Sequence, residues 1–185
     1  SNSFIDKIVV GVRSLNEAKM LINVTPNKKK YRISFNRQLK KKVINPTQWS
    51  WSKSKFKNKK VFITGGTGSF GKNMVNFLLT KKTKEIIIYS RDEMKQWILR
   101  EKLGSLKNIK YIIGDVRDAE RLESTMKDVD YVIHAAATKI VPTAEKNPEE
   151  CIKTNILGAL NVIKSAIDNK VKKVVVLSTD KAVAP

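Results

Sequence analysis

Four glycines crowd the eight residues Thr64–Gly71, which read TGGTGSFG. Gly66, Gly68 and Gly71 satisfy the spacing G-x-G-x-x-G, and Gly65, Gly68 and Gly71 recur every three residues. That pattern suits a pyrophosphate. Glycine permits the tight turn, lets the backbone approach the phosphates, and lets a following helix pack on the preceding strand. The helix start then offers unsatisfied N–H groups and the positive end of its dipole. Further along stand Ser90, Arg91, Asp92 and Lys95. A fixed guanidinium beside a hydroxyl suits a ribose 2′-phosphate, which favours NADP over NAD. Asp92 keeps a second reading open, because its carboxylate can reach a ribose hydroxyl. Arg91 can also be a surface charge paired with Asp92 or Glu93. In GDV, Asp115 can accept a hydrogen bond from an adenine amino group, with Val116 against the ring. In HAAATK, Ala135, Ala136 and Ala137 are small enough for a cofactor to lie flat over them. Near the chain end, Ser178, Thr179, Asp180 and Lys181 are four groups able to exchange protons or hydrogen bonds. No metal site is expected.

These residues need elements to position them. From residue 59 onward, short apolar runs alternate with amphipathic stretches. KKVFITGG, EIIIYS, IKYIIGD, DYVIHAA and KKVVVLST read as strands. GKNMVNFLLTK, DEMKQWILREKLG, DAERLESTMKD and PEECIKTNILGALNVIKSAIDNK read as helices, the last a single long one opened by Pro148. Gly104 ends the second, and Leu122 and Met126 share one face of the third. Such alternation predicts an α/β fold: a Rossmann-type doubly wound parallel sheet of about five strands with right-handed crossovers. The candidate groups above then fall at the ends of strands or, for Lys95, one turn further on, and strand ends are where open parallel sheets hold ligands. His134, the one histidine, lies in an apolar strand and reads as structural. Cys151, the one cysteine, reads as a core thiol.

The chain has 185 residues and a formal net charge of +20. Residues 1–60 hold 16 Lys/Arg against 2 Asp/Glu, a net of +14, so the basicity belongs mainly to the first third. Residues 1–58 therefore read as a basic, partly irregular extension, and 59–185 as the dinucleotide-binding domain. Within the extension, IDKIVVGV reads as a strand and Asn16–Ile22 as a helix with Ser14 and Glu17 as a capping box. Trp49, Trp51 and Phe56 read as residues that pack the linker against something. The lysine runs at 28–30 and 40–42 can touch nucleic acid or an acidic membrane, but no nucleic-acid motif accompanies them, so a solvated linker is favoured. One cysteine precludes an internal disulfide and fits a reducing compartment. No apolar run reaches the ~20 residues of a membrane span, and no signal peptide is evident. Cytoplasm is the expected location.

TGGTGSFG, YSRDEMKQ, GDVRDAERL, DYVIHAAATKIVPTAEKNPEECIKTNILGALNVI and KKVVVLSTDKAVAP together resemble the N-terminal half of an extended short-chain dehydrogenase/reductase. They are most similar to the polysaccharide-biosynthesis branch of UDP-N-acetylglucosamine 4,6-dehydratases, in which SRDE and STDKA together differ from ordinary sugar epimerases. The resemblance implies that Thr67, Gly68, Ser69 and Phe70 hold the pyrophosphate. It implies that Ser90, Arg91 and Lys95 hold the adenosine phosphate, Asp115 and Val116 the adenine, and that Lys139 faces a UDP-sugar. Thr179, Asp180 and Lys181 would be the first part of the catalytic group. In the family, the sugar 4-hydroxyl is oxidised by hydride transfer to NADP⁺, water leaves across C5 and C6, and hydride returns to C6. An Asp–Lys pair can supply the acid for the leaving hydroxyl and the base for C5. The family continues into a tyrosine and a sugar-binding region past the position of Pro185. The chain as given is thus expected to be a truncated form that binds NADP without turnover. Homo-oligomer formation is left open.

IDKIVVGVRSLNEAKMLIN resembles the last strand and helix of an aldo-keto reductase, which implies a piece of a two-enzyme fusion or a reading frame spanning two genes; the alternative is an unrelated basic extension. Two functional alternatives remain at this level. One is a non-catalytic Rossmann protein using its basic arm on nucleic acid or a large assembly. The other is an NADP-sensing regulator.

Overall fold

A computed structural model describes residues 55–177 of the chain. The elements run β1 (Lys60–Thr64), α1 (Ser69–Leu79), β2 (Glu85–Ser90), α2 (Glu93–Leu103), β3 (Ile109–Ile113), α3 (Ala119–Thr125), β4 (Tyr131–His134), α4 (Val141–Lys146), α5 (Pro148–Ile152), a π-helical segment (Lys153–Leu157), α6 (Gly158–Asp168) and β5 (Lys173–Val176). All five strands are parallel, in the order β3-β2-β1-β4-β5. The predicted Rossmann-type sheet is therefore the observed one. Each crossover carries a helix, as parallel pairing requires.

Alternation along the strands buries both faces of the sheet. Phe62, Ile87, Tyr89, Val132 and Val174 belong to one cluster with Leu122 of α3, Met126 that caps it, and Val162 and Ala166 of α6. Neighbouring positions Val61, Ile63, Ile86 and Ile88 are also fully buried, which the period of two assigns to the opposite face. Burial on both faces is why the strands read as near-continuous apolar runs. Leu122 and Met126 do share a buried face, and Gly104 ends α2 at φ +70°. Phe56 packs edge-on against Phe77 and Tyr131, with ring centroids 6.1 and 5.8 Å away. Trp49, Trp51, the strand at Ile5–Val12 and the helix at Asn16–Ile22 lie outside the described residues.

Three expectations need correction. Residues 148–170 do not form one regular helix; α5 and α6 are joined through the π-helical segment. An extra residue in the helical register is a common device at functional positions, and here it accompanies a paired contact. Asn155 accepts from the Thr138 N–H at 2.7 Å and donates to the Thr138 carbonyl at 2.9 Å. Second, α4 was not anticipated, since a six-residue helix opened around Pro142 is too short to show a helical period. Third, Cys151 is half-buried rather than core, with its Sγ accepting from Asn155 Nδ2 at 3.3 Å.

Candidate functional site

Strand order reverses at β1, whose chain continues toward β2 on one side while β4 lies on the other. In open α/β sheets, ligands lie in the crevice at the carboxyl ends of the strands beside such a switch. The glycine stretch begins there. Gly65 takes φ +65°, its N–H donates to the Tyr89 carbonyl at 2.9 Å, and Gly68 N–H closes the turn onto the Gly65 carbonyl at 3.0 Å. A Cβ on Gly65 would stand 2.8 Å from backbone atoms of Ala135 and Ala136. A Cβ on Gly71 would stand 2.5 Å from the Gly66 Cα and oxygen. The two turns are thus in backbone contact, which only glycine allows.

Gly68 is the N-cap of α1, with no side-chain cap and no acid in the first turn. By contrast, Asp92 and Asp118 cap α2 and α3 by accepting from the N–H groups of Lys95 and Arg121. The start of α1 therefore keeps its donors and positive dipole end without an internal anion, as a bound pyrophosphate requires. Ser69 and Phe70 open the helix and are exposed. Thr67 is buried, and its hydroxyl lies 3.3 Å from that of Ser90.

Across the switch, the Thr64 hydroxyl accepts from the N–H groups of Ala135 at 3.1 Å and Ala136 at 3.2 Å. It lies 2.6 Å from His134 Nδ1. Burial lowers the pKa of His134 to about 4, so the ring is neutral near pH 7. Ala135 and Ala136 are half-buried, and Ala137 and Lys139 are exposed.

The side of the crevice away from β4 is built from the ends of β2 and β3. Ser90 is buried, and Gln96 Nε2 reaches its carbonyl at 3.0 Å, its hydroxyl at 3.1 Å and the Ile112 carbonyl at 2.8 Å. Arg91 is exposed, with Nη1 3.6 Å from Asp115 Oδ2. Lys95 turns back to Asp92, with Nζ 2.9 Å from Oδ2. Hydrogen bonds from Lys95 hold the Asp92 carboxyl below its ordinary range. Asp115 is gripped by Arg117, from the backbone N–H to Oδ1 at 3.0 Å, and from Nε and Nη2 to Oδ2 at 2.9 and 2.6 Å. Partial burial pushes the Asp115 pKa up, but the bonds and charge of Arg117, with the charge of Arg91, outweigh it and leave the group below its usual value. Arg117 Nη1 also pairs with Glu150 of α5.

The loop after β3 is clamped from behind. Tyr89 donates its hydroxyl to the Asp115 carbonyl at 2.8 Å, and burial raises the phenol pKa well above its ordinary value, which keeps the donor protonated. Asn161 donates to the carbonyls of Val116 and Arg117, both at 3.1 Å. Val116 is buried in the core, where a Cβ on Gly158 would come within 2.6 Å of its Cγ2.

Residues 61–185 match the family described as polysaccharide biosynthesis protein. The chain belongs to that family. With its fold and motifs, the chain is of the extended short-chain dehydrogenase/reductase type. It is similar to a UDP-N-acetylglucosamine 4,6-dehydratase (inverting) of Campylobacter jejuni, 58% identical over 134 residues, covering 70% of this chain and 39% of the relative. It is similar to a UDP-glucose 4-epimerase of Rickettsia bellii, 56% identical over 134 residues with the same coverage. Among solved structures, Pen from Bacillus thuringiensis superposes at a TM-score of 0.68 with 48% identity, covering 70% of this chain and 40% of that one. The chain thus spans about two-fifths of the length of the curated relatives it matches.

The structure brings Gly65 to Ala135 and Ala136, Thr67 to Ser90, and Arg91 to Asp115. Thr179, Asp180 and Lys181 lie outside the described residues; the last one described, Leu177, bonds its N–H to the His134 carbonyl at 3.0 Å. Sequence reasoning missed Gln96, Arg117 and Asn155, which hold the site from outside the strand ends. Their one sequence signal is position, each following a site motif or a helix start by a few residues. No group of three or more His, Cys, Asp or Glu among the described residues can hold a metal ion. No helix among them is long and apolar enough to cross a membrane.

Proposed function

We propose that this chain is the NADP-binding part of a sugar-nucleotide 4,6-dehydratase acting on UDP-N-acetylglucosamine. The observation that carries the cofactor reading is the exposed Arg91 guanidinium directly after buried Ser90, 3.6 Å from Asp115 at the adenosine end of a glycine-loop crevice. Bound NADP⁺ would accept and return the hydride. The chain's own residues bind and orient it. The backbone from Gly65 to Gly71, including Thr67, Gly68, Ser69 and Phe70, holds the pyrophosphate at the α1 start. Ser90, Arg91 and Lys95 hold the 2′-phosphate, Asp115 and Val116 the adenine. Ala135, Ala136 and Ala137 leave room over the β4 end, and Lys139 faces the sugar nucleotide. Asp180 and Lys181, with Thr179, move the protons: one loads the departing 6-hydroxyl and the other takes the C5 proton. Dehydration as a whole belongs to a protein of the relatives' length.

A second reading, a UDP-glucose 4-epimerase, is favoured by the Rickettsia relatives of nearly equal identity. Mass spectrometry of product from a protein of that length separates them. A dehydratase yields a 4-keto-6-deoxy sugar one water lighter, and an epimerase yields a mass-neutral C4 epimer. Binding of NADP⁺ and NAD⁺ to the chain itself tests the cofactor: failure to bind either overturns the reading, and a preference for NAD⁺ removes the 2′-phosphate assignment.

A further inference from the structure

The adenosine end contains a guanidinium to which the cofactor reading assigns no task. We propose that Arg117 is a positioning residue that fixes the Asp115 carboxylate so that its Oδ1 accepts from the adenine 6-amino group and thereby selects adenine over other bases. The inference rests on Asp115 facing adenine. The two carboxylate oxygens are unequally engaged. Oδ2 takes Arg117 Nε at 2.9 Å and Nη2 at 2.6 Å, with Arg91 Nη1 3.6 Å away. Oδ1 takes only the Arg117 backbone N–H, at 3.0 Å, which leaves it acceptor capacity for an N–H from a ligand.

Arg117 is in turn held in place. Its Nη1 pairs with Glu150, and Glu150 is steadied by Lys153 Nζ at 3.2 Å. Its carbonyl accepts from Asn161 at 3.1 Å, while the Asp115 carbonyl accepts from Tyr89 at 2.8 Å. Backbone and side chain of Asp115 are therefore both fixed before any base arrives, which removes the ordering cost of recognition. A site prepared to accept an N–H rejects an analogue that presents a carbonyl there. Without the Arg117 side chain, the ion-pair partner left to Asp115 is Arg91, on the side of the 2′-phosphate residues, so the carboxylate would turn from the base toward it.

The test compares NADP⁺ with its hypoxanthine analogue, in which a carbonyl replaces the 6-amino group, by calorimetric titration of the full chain. Wild type is expected to prefer NADP⁺ by about tenfold, the worth of one charge-assisted hydrogen bond. In Arg117→Ala the ratio should fall close to one. Arg117→Lys, which keeps one donor and the charge, should give an intermediate ratio and serves if the alanine variant does not fold. If either variant weakens both cofactors equally and keeps the wild-type ratio, Arg117 merely supports the fold and the inference is overturned. If wild type binds both analogues equally, the adenine assignment of Asp115 fails and the inference falls with it. If wild type binds neither, the cofactor reading itself fails.

Discussion

The Thr64 hydroxyl and His134 Nδ1 lie 2.6 Å apart on paired positions of β1 and β4, with both residues buried. Because the Thr64 oxygen already accepts from the N–H groups of Ala135 and Ala136, its own hydrogen goes to the ring. Nδ1 is therefore the acceptor and the neutral ring carries its hydrogen on Nε2. One threonine hydroxyl thus joins the ends of both strands at the switch point and gathers the alanine turn against the glycine turn.

This pair makes stability depend on pH. The His134 pKa falls from 6.5 to about 4 on folding, so between those values the unfolded chain binds more protons than the folded one. The contribution is complete above about pH 6.5 and is lost as pH falls toward 4, a total of about 3 kcal/mol. Urea unfolding at pH 7 and pH 4.5 should show this loss in wild type and a shallower loss in His134→Gln. Equal pH dependence in the two proteins would refute the assignment.

Gly71→Ala should cost about 2 kcal/mol or prevent folding, because the new Cβ would meet the Gly66 backbone at 2.5 Å and backbone cannot move aside as a side chain can. Chemical denaturation measures it. A stability equal to wild type would mean that the α1 start can shift away from the turn.

Arg91→Ala should weaken NADP⁺ by about 10–100-fold, the range for a lost charged hydrogen bond, and leave NAD⁺ within about twofold. Direct titration of both cofactors decides it. Equal losses would remove Arg91 from 2′-phosphate recognition and leave it as a partner of Asp115.

In a protein of the relatives' length, Lys181→Ala should reduce release of the 4-keto-6-deoxy sugar by about 10²–10⁴-fold, the usual worth of a general acid or base. Its NADP⁺ affinity should not change. Near-normal product formation would take Lys181 out of proton transfer.

The parts of the site that were legible in the sequence are those with local causes. TGGTGSFG announces its turn because the positive φ of Gly65 and the contact of Gly71 with Gly66 exclude other side chains. Arg91 and Asp115 were visible because each directly follows an apolar run. Arg117, Gln96 and Asn155 were not, because each is fixed by a partner remote in the chain, and even Arg117, two residues from Asp115, is held in place by one. Arg117 meets Glu150 across 33 residues, Gln96 meets Ile112 across 16, and Asn155 meets Thr138 across 17. The π-helical segment escaped for a related reason: it replaces one helical register with another and leaves no apolar period to read.

By itself, then, the sequence determined the alternation of strands and helices, the glycine turn and the Gly104 end of α2, since each follows from the φ, period and capping of neighbouring residues. Tertiary structure decided which strand ends stand side by side. The order β3-β2-β1-β4-β5 brings Arg91 to Asp115 and Gly65 to Ala135, and that order results from packing among residues distant in the chain.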